Sequence, residues 1–534
     1  MNGTRLGPAT VLIPVALGLC LLLGAGSATA SRTLPRPDRP DQRPTFTKAE
    51  AQDVLAEARS QLRPDTERVR AHQPVGDGVD TDITLTLRDL YLARPKLTGD
   101  DRREANEMLS RGRVSYGEDD PITLSTPSSK CSTNFCVHYR PSSMSQSATT
   151  TQVNTTLATL EHVRTYETGT LGYRKPVSDA PAAPSTDNPD EKFDVFLGDI
   201  ARQGLYGYCS PDGAQPDNGD GRAPAFCVLD NDYAKSQYGI EPVNALRVTA
   251  AHEYFHAVQF AYDVYEDLWF MEGTATWVED RVYDSINDNY QFLSTSPIRS
   301  PGRPADYSLG QYPYGAFLFF KYAEERLRSV GVMRQFWEYA DASKSRYSLQ
   351  AIRAVIAARN TSWTSLFTQF ASWNTLPAHS YSERAGYPKP VLTLNKTLSG
   401  RATSTGWQTR DLRHLTSSTV RIVPSSTLST RKKVLIEINA PSTSHGTNAL
   451  IQRRYRNGSV THTMIPLNSA GNARFVRDFN RASISSMYLV VSNTSTLMKD
   501  CGKVADADGE PYYSCYGRGT YDSGKTFKVR ATLR

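Results

Sequence analysis

Two histidines four residues apart, His252 and His256, lie inside a largely apolar run from Ala245 to Ala261. That spacing constrains the chain more than any other feature. An α-helix repeats every 3.6 residues, so positions i and i+4 share a face, one turn apart. Pro242 suits a first helical turn, because its missing N–H has no partner there to lose. Ala245, Leu246, Val248, Ala250 and Ala251 propagate the helix, Phe255, Val258, Phe260 and Ala261 continue it, and Asp263 ends the pattern. On such a helix both imidazoles point the same way and can share one zinc ion. Glu253 lies on the flank of that face, where it reaches a metal-bound water rather than the metal and can take its proton.

A catalytic zinc has three protein ligands and an open position. Fifteen residues separate His256 from Glu272, which opens Glu272-Gly273-Thr274-Ala275-Thr276-Trp277. It falls in a second predicted helix, Trp269 to Val278, and the intervening residues are enough for a turn that folds this carboxylate back onto the first helix. Glu279, about two turns further on, is placed to accept a hydrogen bond from a ligand histidine and fix its tautomer. The competing readings are two surface histidines beside buried aromatics and, for Glu279, a solvated helix carboxylate.

HEYFH followed by WFMEGTATWVE resembles the gluzincin metallopeptidases, which use two histidines and a downstream glutamate. The second segment is similar to the W-x-x-E-G-x-A signature of the aminopeptidase N-like family, although that family spaces its ligands further apart. From Asp194 to Glu325 the chain resembles a group of secreted bacterial metallopeptidase-like proteins. The resemblance implies a zinc peptidase acting on a peptide or protein, with ligands His252, His256 and Glu272 and base Glu253; it implies no particular substrate. A zinc peptidase also needs a donor for the oxyanion. Tyr312 matches the family's Y-x-x-G spacing before Gly315, with Tyr314 and Tyr307 as alternatives. In a chain with 28 tyrosines, packing is the competing explanation. No G-x-M-E-N-type stretch is present to bind a free amine, which favours an endopeptidase.

At 534 residues the chain is too long for one core. The expected division is an export signal over 1–30, a helical region over 31–120, a catalytic domain over 121–387 and a β-sandwich over 388–534. The fold class expected is α+β, zincin-like, with a small sheet, the HExxH helix and a helical lower half. The net charge of +6, from 61 basic and 55 acidic residues, is spread along the chain, and no basic stretch interleaved with aromatics suggests nucleic acid. Arg5, the apolar run Val11 to Leu23 and Ala28-Thr29-Ala30 read as a cleavable signal and so a secreted protein. A retained anchor is the alternative, but the run is short for a span and Pro14 interrupts it. Cys20 follows Leu19 rather than the small residue that lipid modification needs. Once the signal is removed no membrane span is expected. Cys131, Cys136, Cys209, Cys227, Cys501 and Cys515 remain; an even count in an exported chain implies disulfides, and proximity favours the three local pairs. No CxxC pair supports a zinc-thiolate site.

Along the chain, Thr47 and Glu50 form a capping box for a helix to Leu62, followed by helical stretches Ile83 to Ala93 and Asp100 to Ser110. This region is either an inhibitory pro-segment or a permanent scaffold. It contains no cysteine, which excludes a cysteine-to-zinc latch. His138 reads as structural. Val153 to Thr165 is helical and Phe193 to Leu197 a strand. Gly204 to Cys227 reads as a loop whose Asp212, Asp217 and Asp220 suggest calcium only weakly. The strand Ala225 to Leu229 is expected at the sheet edge over the cleft, where extended substrate can pair. Helices follow over Val332 to Tyr339, Leu349 to Ala358 and Trp363 to Trp373. Beyond Pro388, apolar alternation at Val434 to Ile438, Ala449 to Arg454, Thr461 to Ile465, Tyr488 to Val491 and Phe527 to Ala531 suggests the sandwich. Asp506 and Asp508 are a second weak calcium hint. A reading from another class is an exported binding or adhesion protein with a silent peptidase-like core, its sandwich contacting glycan or cell wall.

Overall fold

Apolar stretches with helical spacing and a few short β-rich runs build a mixed α/β structure, seen in a computed structural model. It describes residues 46–62, 82–111, 128–142, 147–178, 192–213, 221–344, 346–496 and 522–534. The expected export signal, the leader up to Thr45, Asp217, Asp220, Cys501, Cys515, Asp506 and Asp508 lie outside these residues. No helix among the described residues is long and apolar enough to cross a membrane.

Three helices open the described chain: α1 (Lys48–Leu62), α2 (Thr84–Ala93) and α3 (Gly99–Met108). The capping box on α1 forms as read, with Thr47 N–H donating to Glu50 Oε2 at 2.6 Å and Glu50 N–H to Thr47 Oγ1 at 3.2 Å. All of α2 except Thr86 and Asp89 is buried. Leu55, Leu87 and Leu90 share one hydrophobic core with the histidine helix and the elements after it.

The first sheet has the order β1-β2-β3-β5-β4, built from β1 (Ser128–Cys131), β2 (Phe135–Tyr139), β3 (Phe193–Gly198), β4 (Gly207–Pro211) and β5 (Ala225–Asp230). β2, β3 and β5 run parallel, with β1 and β4 antiparallel at the two edges. Two expectations are corrected here. Part of the stretch read as a loop, Gly207 to Pro211, is a strand, and that strand rather than Ala225–Asp230 forms the edge. Its residues, Gly-Tyr-Cys-Ser-Pro, have weak strand preference on their own. Pairing with β5 and the disulfide between the directly opposed Cys209 and Cys227 hold it in place. Cys131 and Cys136 are likewise opposed and bonded across β1 and β2. Two disulfides fit an oxidising compartment. His138 is structural: its Nε2 lies 2.9 Å from Asp194 Oδ1 and its ring stacks on Phe196.

Helix α4 (Thr150–Arg164) is followed by the two long helices that carry the histidine motif and its downstream glutamates, α5 (Pro242–Phe260) and α6 (Leu268–Val282). From Val248 onward α5 is enclosed on all sides, with every residue to Phe260 buried, as expected of a helix apolar around its circumference. α6 lies close to α7 (Tyr312–Gly315) and α8 (Phe317–Leu327). Gly273 permits this approach, since a Cβ there would sit 2.7 Å from Phe320 Cε2. Helices α9 (Gly331–Ala340), α10 (Ser348–Ala358) and α11 (Trp363–Trp373) complete the helical part.

The C-terminal strands form two sheets around a second core that includes Val420, Ile436, Ile451 and Leu489. One has the order β11-β10-β13-β8-β6 and the other β12-β9-β14-β7. The strands are β6 (Leu394–Leu398), β7 (Gln408–Leu412), β8 (Thr416–Pro424), β9 (Lys433–Asn439), β10 (Thr447–Tyr455), β11 (Val460–Met464), β12 (Asn472–Asp478), β13 (Ile484–Asn493) and β14 (Lys525–Leu533). β6, β7, β8 and β12 were not evident from alternation; they are short or rich in Ser, Thr and Arg. The described residues form one compact unit, in which α11 docks on this sandwich through buried polar contacts. Thr368 Oγ1 lies 2.6 Å from Ser492 Oγ, and Trp363 Nε1 donates to Thr494 O at 3.0 Å.

Lys321 on α8 is buried between Asp280 of α6, at 2.8 Å, and Glu383, at 2.7 Å. Burial opposes its charge, but the two carboxylates outweigh burial and raise its pKa. Lys321→Ala leaves both acids without their cation and is expected to cost about 3–5 kcal/mol, read as a lower urea midpoint.

Candidate metal centre

The face of α5 that carries His252 and His256 brings their ring centroids to 4.8 Å. Each ring is fixed through Nδ1. His252 Nδ1 lies 2.6 Å from Glu279 Oε1, and His256 Nδ1 lies 2.8 Å from Gln259 Oε1. The Gln259 amide is itself oriented, its Nε2 donating to Met271 O at 2.9 Å and to Thr274 Oγ1 at 3.1 Å. Its oxygen can therefore only accept, so His256 Nδ1 carries the proton and Nε2 presents a lone pair. The Glu279 carboxylate selects the same tautomer for His252.

Both Nε2 atoms meet two carboxylate oxygens. Glu272 Oε2 is 3.1 Å from His252 Nε2 and 3.7 Å from His256 Nε2. Asp82 Oδ2, just ahead of α2, is 3.2 Å from His256 Nε2 and 3.7 Å from His252 Nε2. The corners of a tetrahedron centred about 2 Å from each ligand atom are about 3.3 Å apart, so these spacings suit one ion. His256 Nε2 and Asp82 Oδ2 are both buried without a hydrogen-bond partner, a costly state unless a cation joins them. The buried group Asp82, His252, His256 and Glu272 can thus hold a metal ion.

Electrostatics point the same way. Burial alone would keep His252 neutral, but the neighbouring carboxylates of Asp82, Glu272 and Glu279 raise its proton affinity well above the usual histidine range. Those carboxylates would stabilise a metal ion in the proton's place. Burial also opposes the charge of Asp82, yet the two neighbouring histidines hold its carboxyl below the usual range. Burial raises Glu279 to about 7 against the opposing pull of His252.

Glu253 stands beside this group without belonging to it. It is 2% exposed, and its Oε2 accepts from Thr84 Oγ1 at 3.2 Å. Burial, then Asp82, push its carboxyl well above the usual range. Gly207 on β4 makes room for it: a Cβ at that position would come within 2.9 Å of Glu253 Cγ. A cleft of about 40 Å³ opens here, lined by Tyr206, Thr249, Glu253, Asp288, Phe292 and Tyr314 among others.

Tyr312 is not among the residues lining the cleft; its hydroxyl donates to Arg303 O at 3.2 Å. Tyr314 is, with its ring 5.9 Å from that of His252. Residues two apart on a helix point in nearly opposite directions, so only one of the pair faces the histidines. Asp212, one of the aspartates weighed for calcium, is ion-paired to Arg111. A second acidic trio, Asp280, Asp284 and Glu383, is occupied by Lys321. Asp82, Thr84, Gly207 and Gln259 were missed from sequence. Only Gln259 had a local signal, three residues after His256 and so on the same face.

No family model matches the chain, and no curated protein matches it. Among solved structures, a family GH115 4-O-methyl-alpha-glucuronidase with specificity for decorated arabinogalactans covers 55% of this chain and 38% of that one, at 8% identity and a TM-score of 0.14. At that score the likeness carries no argument.

Glu279→Ala and Gln259→Ala are each expected to weaken metal affinity by about 10- to 100-fold, measured by chelator competition. Unchanged affinity in both would show that the imidazoles need no such support.

Proposed function

We propose that the chain is a secreted zinc metallopeptidase of the gluzincin type, with a zincin-like arrangement of sheet, histidine helix and helical lower half. One observation carries the reading: a buried carboxylate, Glu253, lies beside a group of metal-binding side chains and outside it. A structural metal site needs no such neighbour; a hydrolytic one does. His252, His256 and Glu272 would hold the zinc, which supplies, when bound, a water of lowered pKa and a Lewis-acid contact to the scissile carbonyl.

The chain's own groups divide the remaining work. Glu253 takes the proton of the attacking water and delivers it to the leaving amine, and its dry surroundings, which favour the protonated carboxyl, suit a group that must hold a proton between the two transfers. Tyr314, lining the cleft, takes the oxyanion role expected of Tyr312. Glu279 and Gln259 keep both imidazoles aimed. The outer edge of β4 is the surface on which extended substrate backbone can pair. The two disulfides agree with export.

The test is hydrolysis of a peptide library by the zinc-loaded chain, before and after limited proteolysis, beside two variants. Glu253→Gln is expected to keep its metal and lose turnover by about 10²- to 10⁴-fold. Gly207→Ala, whose new methyl would press on both Thr249 Cγ2, at 2.7 Å, and Glu253 Cγ, at 2.9 Å, is expected to lower kcat while metal content stays the same. Cleavage by Glu253→Gln at the parent rate, or a chain that takes up no zinc, would sink the reading.

A further inference from the structure

Two residues from the N-terminal region, Asp82 and Thr84, fill positions that a peptide substrate would need. Asp82 Oδ2 completes the metal-binding group, at the corner that a catalytic zinc leaves open for water. Thr84 Oγ1 donates to the base, Glu253 Oε2, at 3.2 Å. The same oxygen accepts the N–H of Cys209 on the edge strand β4 at 2.7 Å, a backbone donor that would otherwise be available to an added strand. Both side chains are rigidly set. Asp82 Oδ1 accepts from Thr84 N–H at 2.6 Å, and Thr84 is 0% exposed. Beside them the cleft leaves about 40 Å³, space for roughly three waters.

We infer that residues 82–84 are a built-in latch, with Asp82 as a removable fourth ligand that keeps the centre latent. The inference rests on the metallopeptidase reading for its purpose, though not for its geometry. It is a carboxylate counterpart of the cysteine latch that this region's composition rules out. The helix behind it, α2, anchors it in place: Arg88, 1% exposed, donates through Nη1 to Val264 O at 3.1 Å and Glu266 O at 2.8 Å, in the connector between the two metal-binding helices. Release therefore requires displacement of α2 and not a local flicker of one side chain.

The test uses the full zinc-loaded chain and acetohydroxamate, a small chelator that needs an open metal position, with binding followed by calorimetry. Two variants remove the carboxylate: Asp82→Ala, and Asp82→Ser, whose hydroxyl can still accept the Thr84 N–H that Asp82 Oδ1 accepts. Both are expected to keep about one zinc on the three remaining ligands and to bind acetohydroxamate at least tenfold more tightly than the parent. Lys96→Ala, an exposed change beyond the end of α2, is expected to stay near the parent. Equal hydroxamate affinity in the parent and the zinc-loaded Asp82 variants overturns the latch. So does loss of zinc from folded Asp82→Ser, which makes Asp82 a permanent structural ligand, or failure of that variant to fold, which makes it scaffold. If hydroxamate binding rises but no library peptide is cleaved, the latch stands and the peptidase reading falls.

Discussion

Asp82, Glu253, Glu272 and Glu279 are each less than a tenth exposed, and four carboxylates in so dry a space need positive charge or hydrogen-bond donors to remain there. Two imidazoles, the Thr84 hydroxyl and the Thr84 N–H are the partners seen on them among the described residues. Glu279 is satisfied by His252, and Glu253 by Thr84. Asp82 and Glu272 converge on the same two Nε2 atoms, which between them present too little positive charge. A metal ion held by this group would resolve the imbalance at one point. The pinned Nδ1 atoms, the edge-strand glycine and the buried N-terminal segment all serve to keep that point fixed.

The geometry depends on how α5 and α6 are joined. Their connector, residues 261–267, is tied down from two directions. Arg88 holds it from α2, and Ser348 holds it from the start of α10, where its N–H donates to Glu266 Oε2 at 3.1 Å and its hydroxyl to Asp267 Oδ2 at 2.5 Å. Trp269 Nε1 also donates to the Ser348 hydroxyl, at 3.2 Å. A connector held this tightly fixes the register of Glu272 and Glu279 against the two histidines. Small errors in such placement are costly for a site whose ligands must meet within a few tenths of an ångström.

What was legible in the sequence follows from distance along the chain. The i, i+4 relation of His252 and His256, the two-turn step from Glu272 to Glu279 and the capping box at Thr47 are properties of single helices, and the helix period alone reveals them. The opposed cysteine pairs were legible because each joins neighbouring strands. Asp82 was not, since its meeting with residues of α5, some 170 positions away, is decided by packing. The same holds for β4. Nothing in Gly-Tyr-Cys-Ser-Pro marks a strand until β5 lies beside it, and the order β3-β5-β4 moves the sheet edge from the strand just before α5 to the one preceding it. Tyr312 and Tyr314 differ only in which side of one helical turn they occupy, and that depends on the angle at which α7 meets α5.

The depth at which α2 is embedded bears on how a latched centre can open. Leu85, Leu87, Leu90 and Tyr91 are at most 5% exposed and belong to the same core as α5 and α6. At about 1.5–3 kcal/mol for each fully buried large side chain, exposing the four together costs about 6–12 kcal/mol, before the hydrogen bonds of Arg88 are counted. That is comparable to the whole stability of an ordinary domain, so spontaneous opening would leave a vanishing active fraction. Opening on a useful scale needs another source of free energy, such as cutting of the chain or a partner that takes up the apolar face of α2. The same burial makes α2 part of what holds α5 and α6 together. A segment that guards the site and also supports its walls is better placed to act once, during maturation, than as a reversible gate.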